Sequence, residues 1–122
     1  METAIELDFG RITIIDNILI AELNEGILFD VESNRKLLNL GDQIFKGKPY
    51  GYISNRVHSY AVNPMIYLES SSTVNLKAIA VVSSNPICQQ NTFLEKQFYK
   101  EENSFEVFDN LEAAITWIKL KI

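Results

Sequence analysis

Residues 76–82 read Leu-Lys-Ala-Ile-Ala-Val-Val, and the next four are Ser83-Ser84-Asn85-Pro86. A nearly continuous apolar run of this length suits a strand covered on both faces. Behind it, Asn85 offers a capping oxygen and Pro86 a preset φ, which together make a helix start. A buried strand that passes straight into a helix is half of a strand–helix–strand unit. This stretch therefore points to an α/β fold with parallel strands.

Working outward supports that reading. Upstream, Tyr50, Tyr52 and Ile53 suit a strand, and Asn63-Pro64 repeats the helix-start chemistry. Downstream, Ile87, Leu94 and Phe98 give a helical stripe, and Phe105, Val107 and Phe108 a short strand. Asp109 or Asn110 caps a last helix carrying Leu111, Ala114, Ile115, Ile118 and Ile122, with Glu112 placed as in a capping box on Asp109. Trp117 falls beside that stripe and reads as a residue at the rim of the core.

The N-terminal part is different. The clusters Ala4-Ile5-Leu7-Phe9, Ile12-Ile14-Ile15 and Ile18-Leu19-Ile20-Leu23 favour strands, punctuated by Gly10-Arg11 and Asp16-Asn17 as turns. An antiparallel meander follows. Asp30 then caps a helix running to about Phe45, with Val31, Leu38, Gly41 and Phe45 on its stripe and Asn34 falling between them. Lys46-Gly47-Lys48 ends it. The expected order is β-β-β-α-β-α-β-α-β-α: a mixed sheet with antiparallel early strands, parallel later strands and four helices.

Composition narrows the function. A chain of 122 residues with 47% hydrophobic side chains fits a single domain spanning 1–122, with no linker or repeat to divide it. Its net charge of −5 and scattered basic residues argue against nucleic acid and against a basic membrane face. No run approaches the roughly 20 apolar residues that a bilayer span needs. The acidic N-terminus is unlike a secretion signal, and one cysteine permits no internal disulfide, so the cytoplasm is the expected address.

Motifs for chemistry are few. The five glycines form neither a dinucleotide nor a phosphate loop, so no cofactor is expected. One His and one Cys fall short of a zinc set, and Glu6, Asp8, Glu22 and Asp30 lack calcium-loop spacing. His58 has an imidazole suited to proton transfer, but neighbouring Ser59 sits in no nucleophile elbow. Cys88, near a helix start, has no second cysteine and reads as a packed thiol. An enzyme is therefore not expected.

The densest polar stretch is YISNRVHSYAVNPMIY, residues 52–67. It leaves the C-terminal edge of a strand and enters a helix, where α/β sheets tend to bind ligands and helix N-termini favour anions. Ser83, Ser84, Asn85 and Asp109 would emerge on the same side. The candidate binding residues are Tyr52, Ser54, Asn55, Arg56, His58, Ser59, Tyr60 and Tyr67.

The element order, with YISNRVHSYAVNP after the central strand, LKAIAVV next and FEVFDNLEAAITWI at the close, resembles the STAS domain, in its SpoIIAA-like branch. Phe105, Phe108, Leu111, Ala114 and Trp117 carry the closing pattern. The resemblance implies a non-enzymatic regulatory or protein-interaction module. In the antagonists of that family a serine in a D-S-[ST]-G-type motif is phosphorylated. Here Ser54-Asn55-Arg56 stands in its place, with Ser59 as the nearest positional counterpart. The expectation is a module that binds another protein through residues 54–67 and the adjoining helix. The alternative is a carrier of a small apolar or anionic ligand, with Tyr52, Arg56, Tyr60 and Tyr67 at the mouth of a sheet–helix pocket. An exposed edge strand of the meander would permit a homodimer.

Overall fold

The computed structural model describes residues 2–58 and 60–122. Three strands, β1 (Glu2–Leu7), β2 (Gly10–Ile15) and β3 (Ile18–Leu23), form the antiparallel meander, with Ile5 opposite Ile12 and Ile14 opposite Leu19. The second turn is Asp16-Asn17 as expected. The first is Asp8-Phe9, whereas Gly10 and Arg11 already belong to β2. The turn shifts because Phe9 folds into the core, its ring centroid 6.3 Å from that of Phe29.

Asp30 caps α1 (Val31–Phe45) by accepting the Ser33 amide at 2.9 Å. The buried stripe is Asn34, Leu37, Gly41 and Phe45, in place of the expected Val31, Leu38, Gly41 and Phe45. Asn34 can occupy it because its amide donates to Ile66 O and Ser70 Oγ, both at 3.2 Å. A buried amide so partnered escapes the penalty of lost hydration and ties α1 to the next helix. Gly41 leaves room for the Tyr50 phenol, and Phe45 stacks on the Tyr50 ring at 4.7 Å.

Strand β5 (Tyr50–Asn55) follows, then α2 (Ile66–Ser72), β7 (Leu76–Val82), α3 (Pro86–Lys96), β8 (Phe105–Phe108) and α4 (Leu111–Lys121). The sheet runs β1-β2-β3-β5-β7-β8, with β3, β5, β7 and β8 parallel. The architecture is thus the mixed-sheet α/β fold with four helices. Two two-residue strands, β4 (Leu28–Phe29) and β6 (Ala61–Val62), pair in parallel beside the main sheet and were not expected. Two residues cannot display an alternation, so no sequence pattern announces them.

Helix α2 begins at Ile66, two residues later than Asn63-Pro64 suggests. Asn63 instead accepts the Met65 amide in a turn before the helix. Asn110, rather than Asp109, caps α4 through the Ala113 amide at 2.8 Å. Glu112 therefore sits one position too early to complete a capping box.

The sheet separates two cores. On one face Leu19, Ala21, Ile79, Val81 and Phe105 pack with Leu37, Ile66, Tyr67 and Tyr99. On the other, Ile18, Ile20, Ile53, Ala78, Ala80 and Val82 meet Ala114 and Ile118 of α4. Residues 78–82 supply side chains to both, as their apolar run requires. Trp117 packs against Phe108 at the edge of the second core, with the rings 5.6 Å apart.

Candidate functional site

Parallel strands deliver their C-terminal ends to one edge of the sheet, and the site lies there. The Arg56 amide donates to Val82 O at 2.9 Å, which fastens the chain just past β5 to the end of β7. Side chains two apart on extended backbone share a face, so Ser54 and Arg56 project together. Ser54 Oγ accepts Arg56 Nε at 3.1 Å and pairs with the Tyr60 hydroxyl at 2.9 Å.

Helix α3 brings the counter-charge. Asn85 accepts the amides of Ile87 and Cys88, the Gln89 amide donates to Asn85 O, and Pro86 has no amide hydrogen. The donors of the first turn are thus occupied, and the helix start offers no bare anion site. With that start in place, Cys88, Thr92 and Glu95 face the sheet.

Glu95 takes the Arg56 guanidinium in a two-pronged grip: Nη2 donates to Oε1 at 2.7 Å and Nη1 to Oε2 at 2.9 Å. The Tyr67 hydroxyl donates to Oε1 at 2.6 Å, and Arg56 Nη1 also reaches Thr92 Oγ1 at 3.3 Å. Both charged side chains are buried, at 7% and 10% exposure. The Arg56 guanidinium carbon lies 5.6 Å from the centre of the Tyr60 ring.

Burial opposes the Arg56 charge, but the Glu95 carboxylate together with Tyr67 and Tyr60 outweighs it and holds the guanidinium well above its ordinary pKa. Burial pushes the Tyr67 phenol up; Arg56 opposes the shift and Glu95 reinforces it. Burial likewise raises Tyr52 and Tyr60. The guanidinium and the carboxylate cancel in charge, and the raised phenols remain protonated donors around them at neutral pH.

Above it opens a cleft of about 780 Å³ between the segment around Arg56–Pro64 and α3. Ile87, Leu94, Phe98, Val57 and Val62 give it apolar walls; Ser83, Ser84, Asn85 and Asn91 give it uncharged polar ones. The expected inward stripe of α3 is therefore reversed. Ile87 and Leu94 are 70% and 61% exposed and Phe98 is also exposed, while Thr92 and Glu95 are buried. The buried carboxylate must meet Arg56, and that requirement orients the helix.

Of the candidate residues, Arg56, His58 and Tyr60 line the cleft. Tyr67 and Ser54 lie buried behind it. Asn55 is directed elsewhere and donates to Glu22 on β3 at 3.2 Å. Tyr52 does not line the cleft, but it shares the face of Ser54 on β5: its ring packs beside Leu37 and Leu38, and its phenol lies near Ser54, Tyr60 and Arg56 of the network. Asp109 does not join the lining, although Ser83, Ser84 and Asn85 do. Ser59 lies outside the described residues. Ser54, closed in by Arg56 and Tyr60, has no surface at which a kinase could reach its hydroxyl.

Sequence reasoning missed Glu95, Thr92 and the cleft wall of α3. The available signal was that Cys88, Thr92, Glu95 and Tyr99 share a helical face, but this face competes with the more apolar one of Ile87, Leu94 and Phe98. His58 is exposed, and among the described residues no carboxylate bonds to it. Among those residues no group of three or more His, Cys, Asp or Glu could hold a metal ion. No helix there is long and apolar enough to cross a membrane. The arrangement can hold a fixed polar floor beneath a partly apolar cleft, which is binding geometry.

A family model described as "Domain of unknown function (DUF7793)" matches residues 12–121. The chain belongs to that family. The matched span begins within β2 and takes in the rest of the meander, the Arg56–Glu95 network and all of α4. No curated protein and no solved structure matches the chain.

Proposed function

We propose that the chain is a non-enzymatic interaction module that binds another protein through the cleft between residues 54–67 and α3. The observation that carries this reading is the outward turn of Ile87, Leu94 and Phe98 along the cleft wall. Contiguous exposed apolar side chains rimmed by polar groups mark interaction surfaces. The STAS-like, SpoIIAA-like pattern of the sequence accords with a regulatory role of this kind. The lone thiol suits a cytoplasmic setting.

The test is capture from the native host with wild type and with a Leu94→Asp/Phe98→Asp variant shown to be folded by circular dichroism. Partners identified by mass spectrometry on the wild type should be lost from the variant. A folded variant that keeps every partner would rule out the cleft as the docking site.

A second reading, a carrier of a small apolar ligand, is favoured by the cleft volume, which falls within the roughly 300–1,000 Å³ typical of ligand pockets. With Glu95 in place both positions on the Arg56 fork are taken, so the cleft in this closed state suits an apolar ligand. A non-covalent adduct in native mass spectrometry that vanishes on denaturation would replace the protein-binding reading with this one.

A further inference from the structure

Helix α3 is held to the molecule in an unusual way. A buried ion pair is often no more stabilising than well-packed apolar residues of similar size. Here α3 possesses such residues, Ile87, Leu94 and Phe98, and turns them to the surface while burying Glu95. What Glu95 enters is a complete carboxylate receptor assembled without α3's own backbone. Arg56 comes from the end of β5 and Tyr67 from α2, and Ser54 on β5 orients the guanidinium through Nε. A guanidinium fork with an added hydroxyl donor is the geometry that recognises carboxylates with two parallel hydrogen bonds. Arg56 and Glu95 also both line the cleft, so the receptor and its occupant meet the surface where a ligand would arrive.

We propose that Arg56 and Tyr67, oriented by Ser54 and Tyr60, form a carboxylate-binding site that the chain's own Glu95 occupies, with α3 as a displaceable lid. When α3 lifts, a carboxylate from a small molecule or from an acidic side chain of a partner takes the two positions on Arg56 that Glu95 vacates. One carboxylate replaces another, so Arg56 stays paired throughout. Glu95, free on the lifted helix, returns to water. This goes beyond the protein-binding reading and rests on the inner face of α3, whereas that reading rests on the outer face.

Hydrogen exchange on the full chain tests the lid. In the wild type, amides of residues 92–96 should exchange through a local opening that leaves β5 and β7 protected. Glu95→Gln should speed that exchange by about a hundredfold or more, the order expected when one member of a buried pair is lost, with β5 and β7 unchanged. Glu95→Ala tests the site: sodium acetate should raise its melting temperature above that in sodium chloride of equal ionic strength. Should the alanine variant not fold, the same comparison is made on Glu95→Ser, whose short side chain also vacates the receptor. An amidated peptide with a single glutamate is compared with acetate. Stronger protection by the peptide assigns the ligand to a partner's side chain, and equal or weaker protection assigns it to a small carboxylate. Exchange of α3 only with global unfolding would overturn the lid. Indifference to both acetate and peptide would overturn the site. Neither result would touch capture of a partner through Leu94 and Phe98, so the two readings fail separately.

Discussion

At the scale of single residues, the molecule is governed by Arg56 and Glu95. Each is acceptable in the interior only because the other is present, and removing one partner of such a pair costs about 3–5 kcal/mol. Arg56→Met and Glu95→Met should each destabilise the chain by about that amount in urea denaturation. The double variant should lose far less than the sum, because neither charge is then left stranded. Additive losses would show that the two side chains act independently. The tyrosines give a second expectation. Burial raises all five phenols, Tyr50, Tyr52, Tyr60, Tyr67 and Tyr99, above their ordinary value near 10. Above that pH the unfolded chain gives up protons that the folded chain retains, so stability is intact below about pH 10 and falls as pH rises past it. Absorbance titration should show phenolate appearing late and together with unfolding. A phenolate step near pH 10 in folded protein would contradict it.

At the scale of elements, capping chemistry could be read directly and facing could not. Asp30 and Asn85 cap α1 and α3 as their positions in the sequence suggest, because a cap depends on neighbours two or three residues away. Which face of α3 turns inward depends on a residue 39 positions upstream, Arg56. Periodicity alone chose the apolar stripe. The same cause placed Asn34 in the buried stripe of α1, since its partners, Ile66 and Ser70, lie on α2. Packing of α4 on the sheet is similarly nonlocal. A Cβ at Gly51 in β5 would overlap Ile118 Cγ2 of α4. Gly51→Ala should therefore cost about 1–3 kcal/mol, the range for overpacking, measured as a lower urea midpoint. A neutral result would mean that α4 can shift outward freely.

At the scale of the whole molecule, β5 and β7 lie at the centre of the parallel set, covered on both faces by the two cores. Their amides should be the slowest to exchange in the chain, and those of the edge strand β1 should exchange sooner. Equal protection across the sheet would place the stability elsewhere. The sequence by itself determined the fold class: the apolar run at 76–82, the turn signals in the meander and the helix starts are local or short-period features. It also marked residues 54–67 as the segment bearing polar groups, and Arg56 and Tyr60 among those that line the cleft. Only the tertiary structure decided that Glu95 completes the network, that Asn55 points elsewhere and that Ile87, Leu94 and Phe98 face outward. These outcomes turn on pairing between charges and hydrogen-bonding groups far apart in the chain, and an ion pair buried from water outweighs the apolar periodicity of an 11-residue helix.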